Sequence, residues 1–371
     1  MTVVRGFFVL LFLLFAAVAL DSGAARAQDS STGYSGHKPV LAASCRICPW
    51  GALADIIKAA MQKSPWNIQV CYICAGAARD ARNVENEALA PAYDPSGLYT
   101  NYGFPQDELS YLEPPPPKGP MDFGITSSNF LWWGYQGTHD YAGEKPYKDM
   151  RLVAMVDAPM YVVVAVTARS GLTDLSQAKG KPVRVLWDLG GLSTAAPDII
   201  AYYGLSKESI EAAGGSVESG RTIKARHDYD IVIYQGDLSE APEFNLWYQI
   251  SQQENLKFLH LPDALLTQLM QHDDMVKLTM PAGFLRGVWE PITTVGFLGN
   301  VIFGSSDMPD QFAYDLAKAI DDRKDLLATA YEHFSYDPRE VWRAYGVPLA
   351  PGAARYYREK GYMTGADSSR T

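Results

Sequence analysis

The chain has 371 residues, of which 47% are hydrophobic and 12% aromatic, and it carries a formal charge of −10. That composition excludes a disordered or fibrous protein, and the acidic balance excludes a nucleic-acid partner, which needs a basic face for phosphates. The length exceeds one ordinary core and implies two units of roughly 100–200 residues each.

At the amino terminus Arg5 precedes an apolar run from Phe7 to Leu20, and Ala25-Arg26-Ala27 offers a small-x-small cleavage site. A charged start, a short apolar core and such a site describe a secretory signal peptide over residues 1–27. The run is shorter than the roughly 20 residues a membrane-crossing helix needs, and no later stretch resembles a span. The expectation is export to the periplasm, with no direct membrane insertion once mature. Cleavage removes Arg5, Arg26 and Asp21, leaving the chain slightly more acidic.

Strand-like and helix-like stretches then alternate, the pattern of an α/β protein with largely parallel sheets. Pro39–Ala43 is a short apolar strand. Pro49–Met61 reads as a helix, with Trp50, Leu53, Ile56, Ile57 and Ala60 at helical spacing and Pro49 acceptable in the first turn. Asn67–Cys74 is a second strand, which a βαβ unit places parallel to the first. Residues 90–120 mix Tyr93, Tyr99, Tyr102 and Tyr111 with Gly and Pro and end in Pro114-Pro115-Pro116-Pro117, an extended insertion. Met121–Ile125 is a strand leading through Thr126-Ser127-Ser128-Asn129 into an aromatic helix from Phe130, which any of those polar residues can cap. Met150–Val166, dense in β-branched residues, reads as one or two long strands. A short helix at Leu175–Lys179, a strand at Pro182–Leu186 and a helix at Ala195–Tyr203 follow. Strands are expected at Tyr229–Tyr234, Lys257–Leu261 and Thr293–Phe303, and closing helices at Gln311–His333 and Arg339–Tyr345.

Catalytic signatures are missing. There is no nucleophile elbow, no H-E-x-x-H and no Walker loop. The six histidines are scattered without metal-ligand spacing, and the sequence supplies no reason to expect an enzyme. What recurs instead is a strand end followed by a polar, helix-opening turn: Ser44; Thr126, Ser127 and Ser128; Gly191, Ser193 and Thr194; Tyr234 and Gln235. In open α/β sheets ligands bind at the carboxyl ends of strands, where hydroxyls and free N–H groups at helix starts suit an anion. Arg46 would offer a bidentate partner to a carboxylate. The ligand expected is therefore a small organic anion.

All four cysteines lie near the first two strand ends, as Cys45-x-x-Cys48 and Cys71-x-x-Cys74. An exported chain meets an oxidising compartment, which favours disulfides. The spacing also matches structural zinc sites, and four thiolates would hold a soft ion such as zinc or copper. No other cofactor is expected. Cys71 and Cys74 can pair with each other only if the strand has ended by Cys71, because extended residues three apart lie roughly 10 Å from one another.

The order of segments resembles the TAXI family of TRAP-transporter solute receptors. The resemblance rests on Met121-Asp122-Phe123-Gly124-Ile125-Thr126-Ser127-Ser128-Asn129, on Gly171–Leu175 leading to Gly180–Val185, on Gly191-Leu192-Ser193-Thr194, on Pro281–Phe284 and on Val347–Tyr357. It implies a two-lobed periplasmic binding-protein fold with a hinge, which hands a small carboxylate or amino acid to a TRAP-type membrane permease. It further implies that lobe II (165–290) is inserted between the two parts of lobe I (36–164 and 291–371). The family's Gly-rich first loop is replaced here by Ser44–Gly51, in which Trp50 stands where the family has an aromatic wall. A different expectation for the same fold is a periplasmic metal-binding or thiol-redox protein that uses the cysteine cluster.

The exported protein is expected to begin near Gln28. Amino-terminal sequencing of the secreted chain checks this, and a chain still starting at Met1 overturns it.

Overall fold

The computed structural model describes residues 37–43, 49–72, 74, 78–89, 117–156, 159–188, 195–219, 228–236, 246–329 and 335–364. The signal segment and most of the Tyr/Pro-rich insertion lie outside these residues. In chain order the elements begin β1 (Val40–Ala42), α1 (Pro49–Ala60), β2 (Gln69–Cys71), α2 (Ala78–Glu85), β3 (Phe123–Ser127), α3 (Ser128–Gln136), β4 (Met150–Val156) and β5 (Met160–Thr167). They continue with β6 (Arg184–Asp188), α4 (Ala195–Tyr202), α5 (Lys207–Ala212), β7 (Ser216–Ser219), β8 (Ile231–Gly236), α6 (Leu246–Gln253), β9 (Leu256–Phe258) and α7 (Asp263–His272). The last are β10 (Val276–Met280), β11 (Ile292–Phe297), β12 (Asn300–Ser305), α8 (Asp310–Asp322), α9 (Lys324–Thr329) and α10 (Pro351–Glu359). No helix among the described residues is long and apolar enough to cross a membrane.

This is an α/β fold with two mixed sheets. The first has strand order β2-β1-β3-β12-β4; the second runs β10-β11-β5-β8-β6-β7, with β9 beside β5. The expectation of largely parallel sheets is corrected, because among the described residues four of the ten ladders are parallel and six antiparallel. The reason lies in two crossings. β4 in the first sheet leads directly to β5 in the second, and β11 in the second returns directly to β12 in the first. Each arriving strand runs against the neighbours it joins: β5 against β8, and β12 against both β3 and β4.

The two crossings also pair with each other on both sides. Asn300 lies opposite Val156 in the first sheet, and Phe297 lies opposite Met160 in the second. The strand ends flanking the two crossings thus form a two-stranded ribbon. The backbones approach so closely there that a Cβ on Gly296 would lie 2.0 Å from the Met160 carbonyl oxygen, which only glycine avoids. Sheet membership thus changes between β4 and β5 and between β11 and β12, so 160–164 and 292–297 pair within the second sheet. The sequence expectation had drawn these boundaries at 164/165 and 290/291.

Alternation along the strands of the second sheet shows that both its faces are covered. Val162, Val164 and Val166 of β5, with Ile231 and Ile233 of β8, join the large core that also holds the first sheet. Tyr161, Val163 and Ala165, with Val232 and Tyr234, join a smaller core on the opposite face. Side chains of period two that are apolar on both faces are what a sheet clothed on both sides requires.

The carboxyl-terminal helices differ most from expectation. The long helix read from Gln311 breaks at Arg323 into α8 and α9, and 339–345 forms turns rather than a helix. The closing helix is α10, which was not expected. It starts with Pro351 in its first turn, where the missing N–H costs nothing. It packs on α8 at a point where any Cβ on Gly352 would strike the Asp310 carbonyl. Asp321 ties these helices together. Its side chain is almost wholly buried and accepts from Tyr356 (2.5 Å), Tyr362 (3.1 Å) and Lys324 (2.9 Å), with the Lys360 ammonium 3.5 Å away. Burial alone would raise this carboxyl, but the hydrogen bonds from Tyr356, Lys324 and Tyr362 outweigh it and hold Asp321 below the ordinary carboxylate range.

Because the folded value is depressed, this stabilisation is complete above the unfolded carboxylate pKa of about 3.9. It disappears as pH falls through the lower folded value. Asp321→Asn is expected to cost about 1.5–3 kcal/mol at neutral pH and to flatten the acid limb of stability against pH. Urea titrations of both proteins from pH 7 down to pH 3 check this, and equal acid limbs overturn it.

Candidate functional site

The carboxyl end of β3, the start of α3 and the ribbon meet at one place. In-register pairing sets Ser127, the last residue of β3, opposite Asn300 at the start of β12. The Trp50 indole N–H, in the first turn of α1, donates to the Asn300 side-chain oxygen at 2.7 Å. Ser128 is bound to the returning crossing: its N–H donates to the Gly299 carbonyl (3.1 Å) and its hydroxyl to the Leu298 carbonyl (3.0 Å). Trp50, Ser127 and Ser128, expected from sequence to be separate lining residues, are thus joined around residues 298–300.

Their roles divide. Ser128 spends its hydrogen-bonding groups on the crossing. Ser127 is the N-cap of α3 yet makes no side-chain capping hydrogen bond, so its hydroxyl is not committed to the helix. Thr126 is fully buried within β3, opposite Val301. Asn129 was read from sequence as one more capping residue, and its position is more telling. It is 0% exposed, and neither atom of its amide has a hydrogen-bond partner. A buried amide left unpaired costs about 1–3 kcal/mol, and such a group in a native fold calls for a specific explanation. The first turn of α3 carries no acidic residue, so its positive end favours an anion.

The second sheet contributes less among the described residues. Tyr234 is 2% exposed and packs in the smaller core against Trp247, with ring centroids 6.3 Å apart. Gln235 lies opposite Val162 on the face shared with Ile231 and Ile233, close to the ribbon, and its carbonyl accepts from the Trp247 indole N–H at 2.7 Å. Ser44, Cys45, Arg46 and Cys48 of the first turn, and Gly191, Ser193 and Thr194 of the third, lie outside the described residues.

Strand β2 ends at Cys71, the condition for pairing within the second CxxC, and Cys71 is joined to Cys74 by a disulfide with Cα atoms 5.4 Å apart. Both residues are buried. The bond removes two of the four thiolates that a cysteine metal site would use, and its burial shields it from thiol exchange.

The family model described as NMT1-like family matches residues 117–361, and the chain belongs to that family. The TAXI family that the sequence resembles is not itself shown by this match. Among solved structures the chain is similar to a TctC solute-binding protein from Polaromonas, at 14% identity over 88% of this chain and 98% of that one, with a TM-score of 0.45. It is also similar to the alkanesulfonate-binding protein SsuA from Xanthomonas axonopodis pv. citri bound to MOPS, at 14% identity over 87% and 84% with a TM-score of 0.36. A third likeness is a structure described as a periplasmic transporter, at 12% identity over 87% and 92% with a TM-score of 0.39.

Asn129→Leu removes an unpaired amide while keeping the number and branching of its side-chain heavy atoms. It is expected to leave the melting temperature of the ligand-free protein unchanged or higher. Ser128→Ala is expected to cost about 1 kcal/mol through the lost bond to Leu298. Thermal denaturation of the two variants checks both, and a strongly destabilised Asn129→Leu would make Asn129 part of the framework.

Proposed function

We propose that this protein is a periplasmic solute-binding protein that captures a small organic anion, a carboxylate or an amino acid, and hands it to the membrane permease of a TRAP-type transporter. The observation that carries the reading is the buried, unpartnered amide of Asn129 in the first turn of α3, beside the uncommitted Ser127 hydroxyl. Asn offers one acceptor and two donors, and the helix start offers positive potential. Together they suit a carboxylate bearing a neighbouring donor. The two sheets act as two lobes that close by bending at the ribbon, and Ser44, Arg46, Gly191, Ser193, Thr194 and Gln235 line the opposing strand ends. Trp50, fixed by Asn300, forms an apolar wall. Binding rather than catalysis follows from these groups, which include no nucleophile and base within reach of each other among the described residues.

A thermal-shift screen of carboxylates and amino acids is expected to give at least one stabilising ligand, worth about 2.7 kcal/mol at a concentration one hundred times its Kd. For that ligand, Asn129→Leu and Ser193→Ala are each expected to lower affinity ten- to a hundredfold, from roughly 1.5–3 kcal/mol of lost hydrogen bonding to a charged group. No hit across the panel, or a hit that both variants bind as tightly as the unaltered protein, overturns the proposal.

A further inference from the structure

A second cluster of chemistry-bearing side chains lies away from α3, where α4 meets the end of α7. Asp198 stands in the first turn of α4. His272 is the last residue of α7, and Asp273 is its C-cap. The His272 Nδ1 lies 2.5 Å from the Asp198 Oδ2. One ligand atom from each of Asp198, His272 and Asp273 falls within 4.8 Å of the other two. Burial is graded across the three: Asp273 is 2% exposed, Asp198 is partly buried, and the His272 ring is open to solvent. A fixed inner carboxylate with an accessible outer imidazole gives an ion both an anchor and a way in. Two carboxylates against one imidazole leave an excess of negative charge, and the carbonyl end of α7 adds to it.

We infer that Asp198, His272 and Asp273 form a binding site for a divalent cation of the zinc class, with His272 Nδ1 and one oxygen from each carboxylate as ligands and water completing the shell. An imidazole ligand favours zinc and its neighbours over calcium or magnesium, which take oxygen donors. At metal–ligand distances of about 2.0–2.2 Å, tetrahedral neighbours lie about 3.3 Å apart. The Asp198–His272 pair therefore opens by less than about 1 Å to admit the ion, and the proton between them is released. The site borders the first sheet's side of the molecule: His139, stacked on Trp133 with centroids 4.2 Å apart, places Nε2 3.3 Å from the His272 carbonyl and Nδ1 3.9 Å from the Asp274 carboxylate. The inference uses none of the residues assigned to the organic ligand, so the two readings stand or fall separately.

Isothermal titration of untagged, full-chain protein with zinc chloride tests it, using His272→Ala, Asp198→Asn and Asp273→Asn. His260→Ala serves as a control, because His260 sits at the surface beside Glu290, 3.4 Å away. The unaltered protein and His260→Ala are expected to bind zinc alike, and each of the other three variants to lose at least about tenfold in affinity. Loaded with cobalt(II), the unaltered protein is expected to show weak visible bands without the strong near-ultraviolet absorption of thiolate ligation. Melting each variant without metal identifies any that fails to fold, and Asp198→Asn, on a partly buried surface position, then carries the test. The inference is overturned if the unaltered protein binds no zinc or the folded variants bind it as tightly. A cobalt spectrum with thiolate character also overturns it, since it moves the ion to the cysteines.

Discussion

The constraint on which the rest of the structure depends is that the chain passes between its two sheets twice, at one place, and that the two passages hydrogen-bond to each other. Asn300 opposite Val156 and Phe297 opposite Met160 lock the passages in register on both sides. Everything of functional interest is then set by distance from that ribbon. β12 enters between β3 and β4, which puts the Ser127–Asn129 turn against residues 298–300, and the Trp50–Asn300 hydrogen bond draws the first helix to the same spot. Polar strand ends that are far apart in sequence become neighbours because the ribbon fixes where each sheet must end.

Much of this was legible in the chain. β-branched runs placed β5 and β8, and a strand followed by hydroxyl residues correctly located the β3–α3 turn, whereas Thr293–Phe303, expected as one strand, divides into β11 and β12 in different sheets. The parallel bias was misread because alternating strands and helices imply parallel crossovers, whereas β4 and β5, and β11 and β12, follow each other without a helix and join different sheets. Val162 and Val164 look the same whether their neighbours run with or against them. The closing helix was missed for a different reason. Pro351-Gly352 reads as a breaker pair, whereas here the proline opens a helix and the glycine lets it press on the Asp310 carbonyl. Asp321, the tie between those helices, looks in sequence like one of two solvated aspartates.

The polar β3–α3 turn was legible in position, but the part each of its residues plays was not. Ser127, Ser128 and Asn129 share one polar turn, and nothing in their order tells which spends its hydrogen bonds internally. That depends on the carbonyls of Leu298 and Gly299, which the ribbon delivers from the far end of the chain. The Asp198–His272–Asp273 cluster was invisible for a related reason. Sequence spacing reveals metal ligands only when they share one turn or helix, and here two helices from separated segments bring them together.

The central place of β12 has a consequence for how the molecule is made. Val301 and Ile302 lie between Thr126 and Ile125 on one side and Met155 and Ala154 on the other. β3 and β4 therefore have no ladder to share until the strand between them arrives. All of the second sheet is synthesised before that happens. The amino-terminal strands β2, β1 and β3 can pair with one another, but among the described strands of the first sheet β4 has no neighbour until β12 arrives. A topology so rich in long-range pairing folds slowly. For the periplasmic protein proposed above, slowness of this kind would keep the polypeptide extended long enough to be threaded through a membrane before its core can close.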